Sequence, residues 1–140
     1  MNEAVVRQLE DTHKANMERV KTFAKQIGEA IAERYSNDDP DELMGKLQEL
    51  ATLQSTASYC QAMANRLYND RIADLCESPA YCKLSATDKK MVFAGRASEE
   101  IYYVELCERY SRSLTHAIES IRSILSFKKS EFELAKFQQT

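Results

Sequence analysis

Two histidines lie close in sequence to glutamates, at the spacing that helical metal sites use. Glu10-x-x-His13 places a carboxylate and an imidazole on one helix face, as in di-iron helical bundles. Such a site requires a second Glu-x-x-His, whereas His116-x-x-Glu119 has the reverse order. His13 also falls on an apolar stripe, where a core or interface histidine is the simpler interpretation. We therefore predict no metal site and no cofactor.

The cysteines do not point to chemistry either. None has a partner at the usual spacing of zinc ligands, and none lies in the glycine-containing turn that exposes a catalytic nucleophile. The N-terminus lacks a signal sequence, and no run approaches the roughly 20 apolar residues of a membrane span. We predict free thiols in a reducing cytoplasm, no membrane contact and no enzymatic activity. The four cysteines are Cys60, Cys76, Cys82 and Cys107.

Arginine and tyrosine alternate in Asn65-Arg66-Leu67-Tyr68-Asn69-Asp70-Arg71. Guanidinium groups that hold phosphates and a ring that stacks on a base are what single-stranded nucleic acid requires. This makes Arg66, Tyr68 and Arg71 candidate contacts to single-stranded DNA. The alternative is that a tyrosine at helical spacing forms the edge of the core.

A second basic group follows later in the chain and comprises Arg109, Arg112, Lys128 and Lys129. Arg122, Lys129 and Lys136 recur every seven residues and form a stripe that can track phosphates. Alternatively, these cations flank a coiled-coil interface and pair with acids of a neighbouring helix. The formal net charge of −3 gives no general attraction to nucleic acid, so such binding has to be local.

The elements that carry these residues are predicted to be helices. Three Gly, two Pro and no Trp leave little material for the turns of a sheet. Asp39-Pro40 and Ser85-x-x-Asp88 are helix start signals, and apolar residues recur at helical spacing between them. We predict one domain over residues 1–140, with three long antiparallel helices over about 3–35, 40–77 and 86–137.

The predicted third helix is the longest of the three, so part of it has to extend beyond its neighbours. Its apolar residues follow an a/d heptad pattern, which favours coiled-coil-like packing against other helices. We predict that this seam forms a homo-oligomer. The predicted interface residues are Leu114, Ile118, Ile121, Leu125 and Phe132.

Three segments together resemble small helical phage proteins of recombination gene neighbourhoods, in particular the UvsY-type recombination mediators of T-even-type phages. They are Ala64-Asn65-Arg66-Leu67-Tyr68, Leu84-Ser85-Ala86-Thr87-Asp88-Lys89, and Ala117-Ile118-Glu119-Ser120 followed by Phe127-Lys128 and Phe137. The resemblance covers about the last 80 residues. The family has a second basic residue before the matching arginine, whereas this chain has Ala64-Asn65 there and Arg71 one turn later.

The resemblance implies a non-enzymatic oligomer that binds single-stranded DNA. Such a protein helps to load a recombinase onto strands coated by a single-strand binding protein. Arg66 and Tyr68 take the role of DNA contacts by position. The alternative function is a helical protein-binding module, such as a phage-encoded inhibitor or adaptor, that does not bind nucleic acid.

Overall fold

The computed structural model describes residues 2–139, which form four helices and no strand. The helices are α1 (Glu3–Ala32), α2 (Pro40–Glu77), α3 (Ala86–Arg96) and α4 (Ser98–Gln138). The all-α class is confirmed, but the predicted architecture of three long helices is wrong, because the third helix is divided into α3 and α4. Within residues 2–139, no helix combines the length and hydropathy that a membrane span needs.

The division falls at Ala97, whose backbone leaves the helical region (φ −106°, ψ 19°). The hydrogen-bond ladder continues on both sides, because the Ala97 N–H donates to the Phe93 carbonyl and the Ile101 N–H donates to the Ala97 carbonyl. Gly95 and Ser98 flank the bend, and glycine–serine pairs are frequent sites of helix kinks. The bend buries Ala97, which is 1% exposed, while no residue of α3 is buried.

Helices α1, α2 and α4 form the packed body, with α2 antiparallel to the other two. Lys46 near the start of α2 contacts Glu33 after the end of α1, and Gln61 in α2 accepts a hydrogen bond from Ser111 of α4. The core between the three helices consists mainly of apolar residues. It includes Val20, Ile27, Leu43, Leu50, Cys60, Leu67, Leu114, Ile118 and Ile121.

Helix ends are closed by the side chains that the sequence provides. Asn2, Asp39 and Ser85 each accept a hydrogen bond from a backbone N–H in the first turn of the following helix. At the other end of α1, the buried Lys46 ammonium donates to the Ala30 carbonyl at 2.7 Å. This contact satisfies a carbonyl of the last turn, and α1 ends at Ala32 rather than near residue 35.

Two helical glycines differ in the space around them, which gives a matched test of this packing. A Cβ atom added at Gly28 would lie 2.6 Å from the Tyr110 hydroxyl and 3.0 Å from its ring, whereas nothing lies within 4 Å at Gly45. We expect Gly45→Ala to raise the free energy of unfolding by about 0.5–1 kcal/mol, because alanine favours the helix. Gly28→Ala should lower it by about 1 kcal/mol, because the overlap outweighs that gain. Urea unfolding measures both, and equal effects would contradict this packing of Tyr110.

All four cysteines are free thiols, two of them buried and two exposed. A hydrogen bond to Cys107 raises the pKa of the Cys60 thiol, and burial raises it further. We expect a thiol-reactive dye to label Cys76 and Cys82 in the folded protein, and Cys60 and Cys107 only after denaturation. Mass spectrometry of the labelled peptides measures this. Rapid labelling of all four in native buffer would contradict the burial of the pair.

A polar cluster lies where α4 begins. The Glu100 carboxylate is in the first turn of α4 and only 8% of the residue is exposed. Its Oε1 atom lies 3.2 Å from Nε2 of His13 in α1 and 3.9 Å from Nε of Arg71 in α2. Glu100 therefore connects all three helices of the body through one carboxylate.

Candidate nucleic-acid interface

Three of the four predicted arginine contacts have acidic partners within the chain. Arg66 lies 4.0 Å from Asp70 in the same helix. Arg112 is hydrogen-bonded to Glu108 one turn before it. Such pairs reduce the charge that is available to a phosphate, although exposed pairs of this kind are weak and a phosphate can displace the acid.

Arg71 and Tyr68 are less accessible than the sequence suggested. The Arg71 side chain is 42% exposed, and its Nε atom is buried near Glu100. Tyr68 is half-buried, so only part of its ring can meet a base. Arg109 is exposed and makes no ion pair within residues 2–139.

The predicted oligomer interface is largely occupied by the chain itself. Leu114, Ile118 and Ile121 are at most 2% exposed, because they pack against α1 and α2 in the core. Leu125 is half-buried at the edge of that core. Phe132 is the exposed member of the set, at 69%.

The end of α4 extends beyond the packed body. Every residue from 129 to 139 is exposed, although the helix continues to Gln138. We call residues 122–138 the tail. It carries four basic and two acidic side chains, and none of the four cations pairs with an acid of residues 2–139. These cations are Arg122, Lys128, Lys129 and Lys136.

The tail combines cations and an aromatic ring on one face. Lys129, Phe132 and Lys136 are spaced three and four residues apart, which places them on the same side of an α-helix. That side continues the stripe of Ile118 and Leu125 beyond the point where the body ends. An exposed ring between two ammonium groups provides stacking and phosphate contact within about two turns of helix.

A second basic surface was not predicted, because α3 was expected to be part of a longer packed helix. We call residues 81–96, which comprise α3 and the loop before it, the α3 arm. It carries four basic side chains and one acidic one, and none of these cations is in an ion pair within residues 2–139. An edge-to-face contact between Tyr81 and Phe93 packs the loop of this arm against α3. The cations are Lys83, Lys89, Lys90 and Arg96.

Charge is therefore divided between the body and its two extensions. The tail and the α3 arm together hold 8 of the 19 basic side chains but only 3 of the 22 acidic ones. The remainder of the chain is strongly acidic. A count of charge by segment would have revealed this division from the sequence, but only with the helix boundaries known.

The residues considered for metal chemistry do not meet. Glu10 is exposed, while His13 faces Glu100 instead. His116 and Glu119 form an exposed contact of 3.9 Å. Within residues 2–139, no three residues of the types His, Cys, Asp and Glu lie close enough to hold one ion.

Comparisons with known proteins give no neighbour for this arrangement. No protein family model, curated protein or solved structure matches the chain.

Proposed function

We propose that this protein is a non-catalytic accessory protein that binds single-stranded DNA through the tail. The observation that carries the proposal is the concentration of unpaired cations on the segments that extend from an acidic body. A phosphate backbone is attracted to these segments and repelled by the rest of the surface. Local charge thereby provides binding that the net charge of −3 does not.

The aromatic content of the tail favours a single strand over a duplex. Phe132 is exposed between Lys129 and Lys136, and an unpaired base offers the flat surface that such a ring stacks on. The bases of a duplex are already stacked on one another. The α3 arm adds a second phosphate-binding surface, and Arg109 is a further cation on the body that has no ion-pair partner among residues 2–139.

A role as a recombination mediator is the more specific part of the proposal, and the resemblance to UvsY-type proteins supports it. In that role the protein assists a recombinase on strands covered by a single-strand binding protein, with Arg66 and Tyr68 as further DNA contacts. The four free thiols favour a reducing cytoplasm as its place of action, that of the host cell if the protein is phage-encoded.

A protein-binding module without nucleic-acid contact is the second candidate. The exposed apolar residues of the tail favour it, since Phe127 and Leu134 are each more than 60% exposed. Salt dependence separates the two functions. Affinity for a single-stranded oligonucleotide should fall steeply with salt in the first case, and an adaptor should have no such affinity.

The test compares two pairs of lysines by fluorescence anisotropy with a labelled single-stranded oligonucleotide. Replacing Lys128 and Lys129 with Ala should reduce the slope of log K against log salt by about 1.4, because each lost phosphate contact removes about 0.7. Replacing Lys14 and Lys25 with Ala removes the same charge from exposed positions on α1 and should leave the slope unchanged.

A change at the ring should have a different signature. Phe132→Leu removes stacking, which contributes about 1–3 kcal/mol per base, and should weaken binding without altering the salt slope. Equal effects of the two lysine pairs would mean that the tail has no special role. Absence of binding by the wild-type protein would favour the adaptor function.

A further inference from the structure

A second heptad seam runs along α4 and is exposed throughout. We call it the outer seam. It has the alternating three- and four-residue spacing of coiled-coil a and d positions, and all six of its residues are exposed. Phe127 is 65%, Leu134 61% and Phe137 81% exposed. The seam consists of Ser120, Ser123, Phe127, Ser130, Leu134 and Phe137.

The outer seam is on the opposite side of α4 from the core. Phe127 follows the buried Ile118 by nine residues, and at about 100° per residue this is half a turn around the axis. Helices α1 and α2 cover the Ile118 side, so they do not obstruct the outer seam. Within residues 2–139, no helix packs on this side of α4 between Ser120 and Leu134, so the face is open to a second chain.

The pattern of side-chain size in the outer seam indicates which chain that is. Three serines and three large apolar residues occupy it, with the serines mainly in the first half and the large residues mainly in the second. An antiparallel copy of the same helix places Leu134 of the partner subunit against Ser123. The partner's Ser130 then faces Phe127, so each layer combines one large and one small residue.

Charge agrees with the same arrangement. Glu131 and Glu133 flank the outer seam, while Lys128, Lys129 and Arg122 lie one position further out. In the antiparallel pair, Glu133 lies beside Ser126 and Arg122 of the partner subunit. The partner's Ser126 hydroxyl can then donate a hydrogen bond to the Glu133 carboxylate, and the partner's Arg122 guanidinium can pair with it. In a parallel pair, Phe127 would face Phe127 of the partner subunit. Each serine would face another serine, so these layers would contain too little side-chain volume to fill the interface.

We propose that two copies of this chain associate through their outer seams as an antiparallel, two-fold symmetric pair. The overlap covers residues 120–137, about 27 Å of helix on each chain. Phe132 and Lys129 point away from the seam in this pair. The dimer therefore presents two copies of the proposed DNA-binding face, although its existence does not depend on DNA binding.

Light scattering of the full chain tests the association. We expect the wild type to have twice the 16.0 kDa monomer mass, and Phe127→Asp and Leu134→Asp to raise the dissociation constant at least tenfold. Phe132→Asp is the matched control. Phe132 is about as exposed as Phe127 and Leu134 and lies between them in the sequence, but it is outside the outer seam, so this variant should remain dimeric. A monomeric wild type, or equal dissociation by all three variants, would overturn the proposal.

Cysteine crosslinking tests the orientation in a background where Cys76 and Cys82 are replaced by Ser. A mixture of Ser123→Cys and Leu134→Cys chains should form a disulfide-linked dimer under mild oxidation by a disulfide such as oxidised glutathione. Ser123→Cys alone should not, because the two copies of residue 123 lie far apart in the antiparallel pair. Efficient crosslinking of Ser123→Cys alone would indicate a parallel pair and refute the proposed one. DNA binding is measured separately, so a monomer that binds DNA would refute the pairing and leave the proposed function intact.

Discussion

Ile121→Asp is expected to unfold the body of the protein. Ile121 is fully buried between the helices, and an aspartate there has no cation to pair with among the apolar residues of the core. An unpaired buried charge costs several kcal/mol, and the lost isoleucine adds about 2–5 kcal/mol. Since small domains have a stability of about 5–15 kcal/mol, most of it would be lost.

Circular dichroism and urea unfolding measure this effect, and the control is Thr115→Asp. Thr115 is exposed on the same helix, so this variant introduces the same charge without burying it and should keep the wild-type midpoint within about 0.5 kcal/mol. A folded Ile121→Asp protein that had merely lost its partner would show that Ile121 belongs to an interface between chains. If Ile121 is buried within one chain, as in this structure, Ile121→Asp should instead lose its helical circular dichroism signal.

Ile121 illustrates what a heptad pattern can and cannot predict. The spacing of Leu114, Ile118 and Ile121 identifies a helix face that must be covered, and the structure covers it. The pattern does not state whether the cover comes from the same chain or from another. Here α1 and α2 fill that side as far as Leu125, and the exposed seam is on the other side of α4.

Helix starts were predictable because they depend on local chemistry. Asp39 caps α2, and Ser85 caps α3, each through a hydrogen bond that the sequence motif anticipates. The bend at Ala97 was not predictable in this way. The Ala97 N–H still donates to the Phe93 carbonyl and the Ile101 N–H to the Ala97 carbonyl. Apolar residues keep their helical spacing in the sequence across this point, so the pattern shows no interruption. Gly95 and Ser98 were the available signals, and each is common in unbent helices.

The candidate site was predictable only where it depends on the spacing of residues along one helix. Lys128 and Lys129 were identified from their spacing along the helix, and they do lie on the extended tail. The cations of the α3 arm were missed, because the sequence pattern did not show that the helix is divided at Ala97 and that no residue of α3 is buried in the body. Pairing of Arg66 with Asp70 and of Arg71 with Glu100 depends on geometry that a list of basic residues does not contain.

The largest expected effect of a polar substitution is at Glu100, which lies three residues after the bend at Ala97. Its carboxylate is the acidic partner of both His13 and Arg71, and it lies in the first turn of α4, where the helix dipole favours a negative charge. Glu100→Ala leaves the buried Nε of Arg71 without a nearby carboxylate. Removing one partner of a fully buried ion pair costs about 3–5 kcal/mol, and an exposed pair contributes about 0.2–1 kcal/mol. Arg71 is 42% exposed and its Nε atom lies 3.9 Å from the carboxylate, so we expect an intermediate loss of about 1–2 kcal/mol.

Glu105→Ala is the control for this prediction, since Glu105 is exposed on the same helix and should change the free energy of unfolding by less than about 0.5 kcal/mol. Urea unfolding of Glu100→Ala, Arg71→Ala and the double variant completes a cycle. We expect the double variant to lose less than the sum of the two single losses, because Arg71 is no longer left unpaired. Strict additivity would show that Glu100 and Arg71 do not interact, and would leave His13 as the side chain that pairs with Glu100.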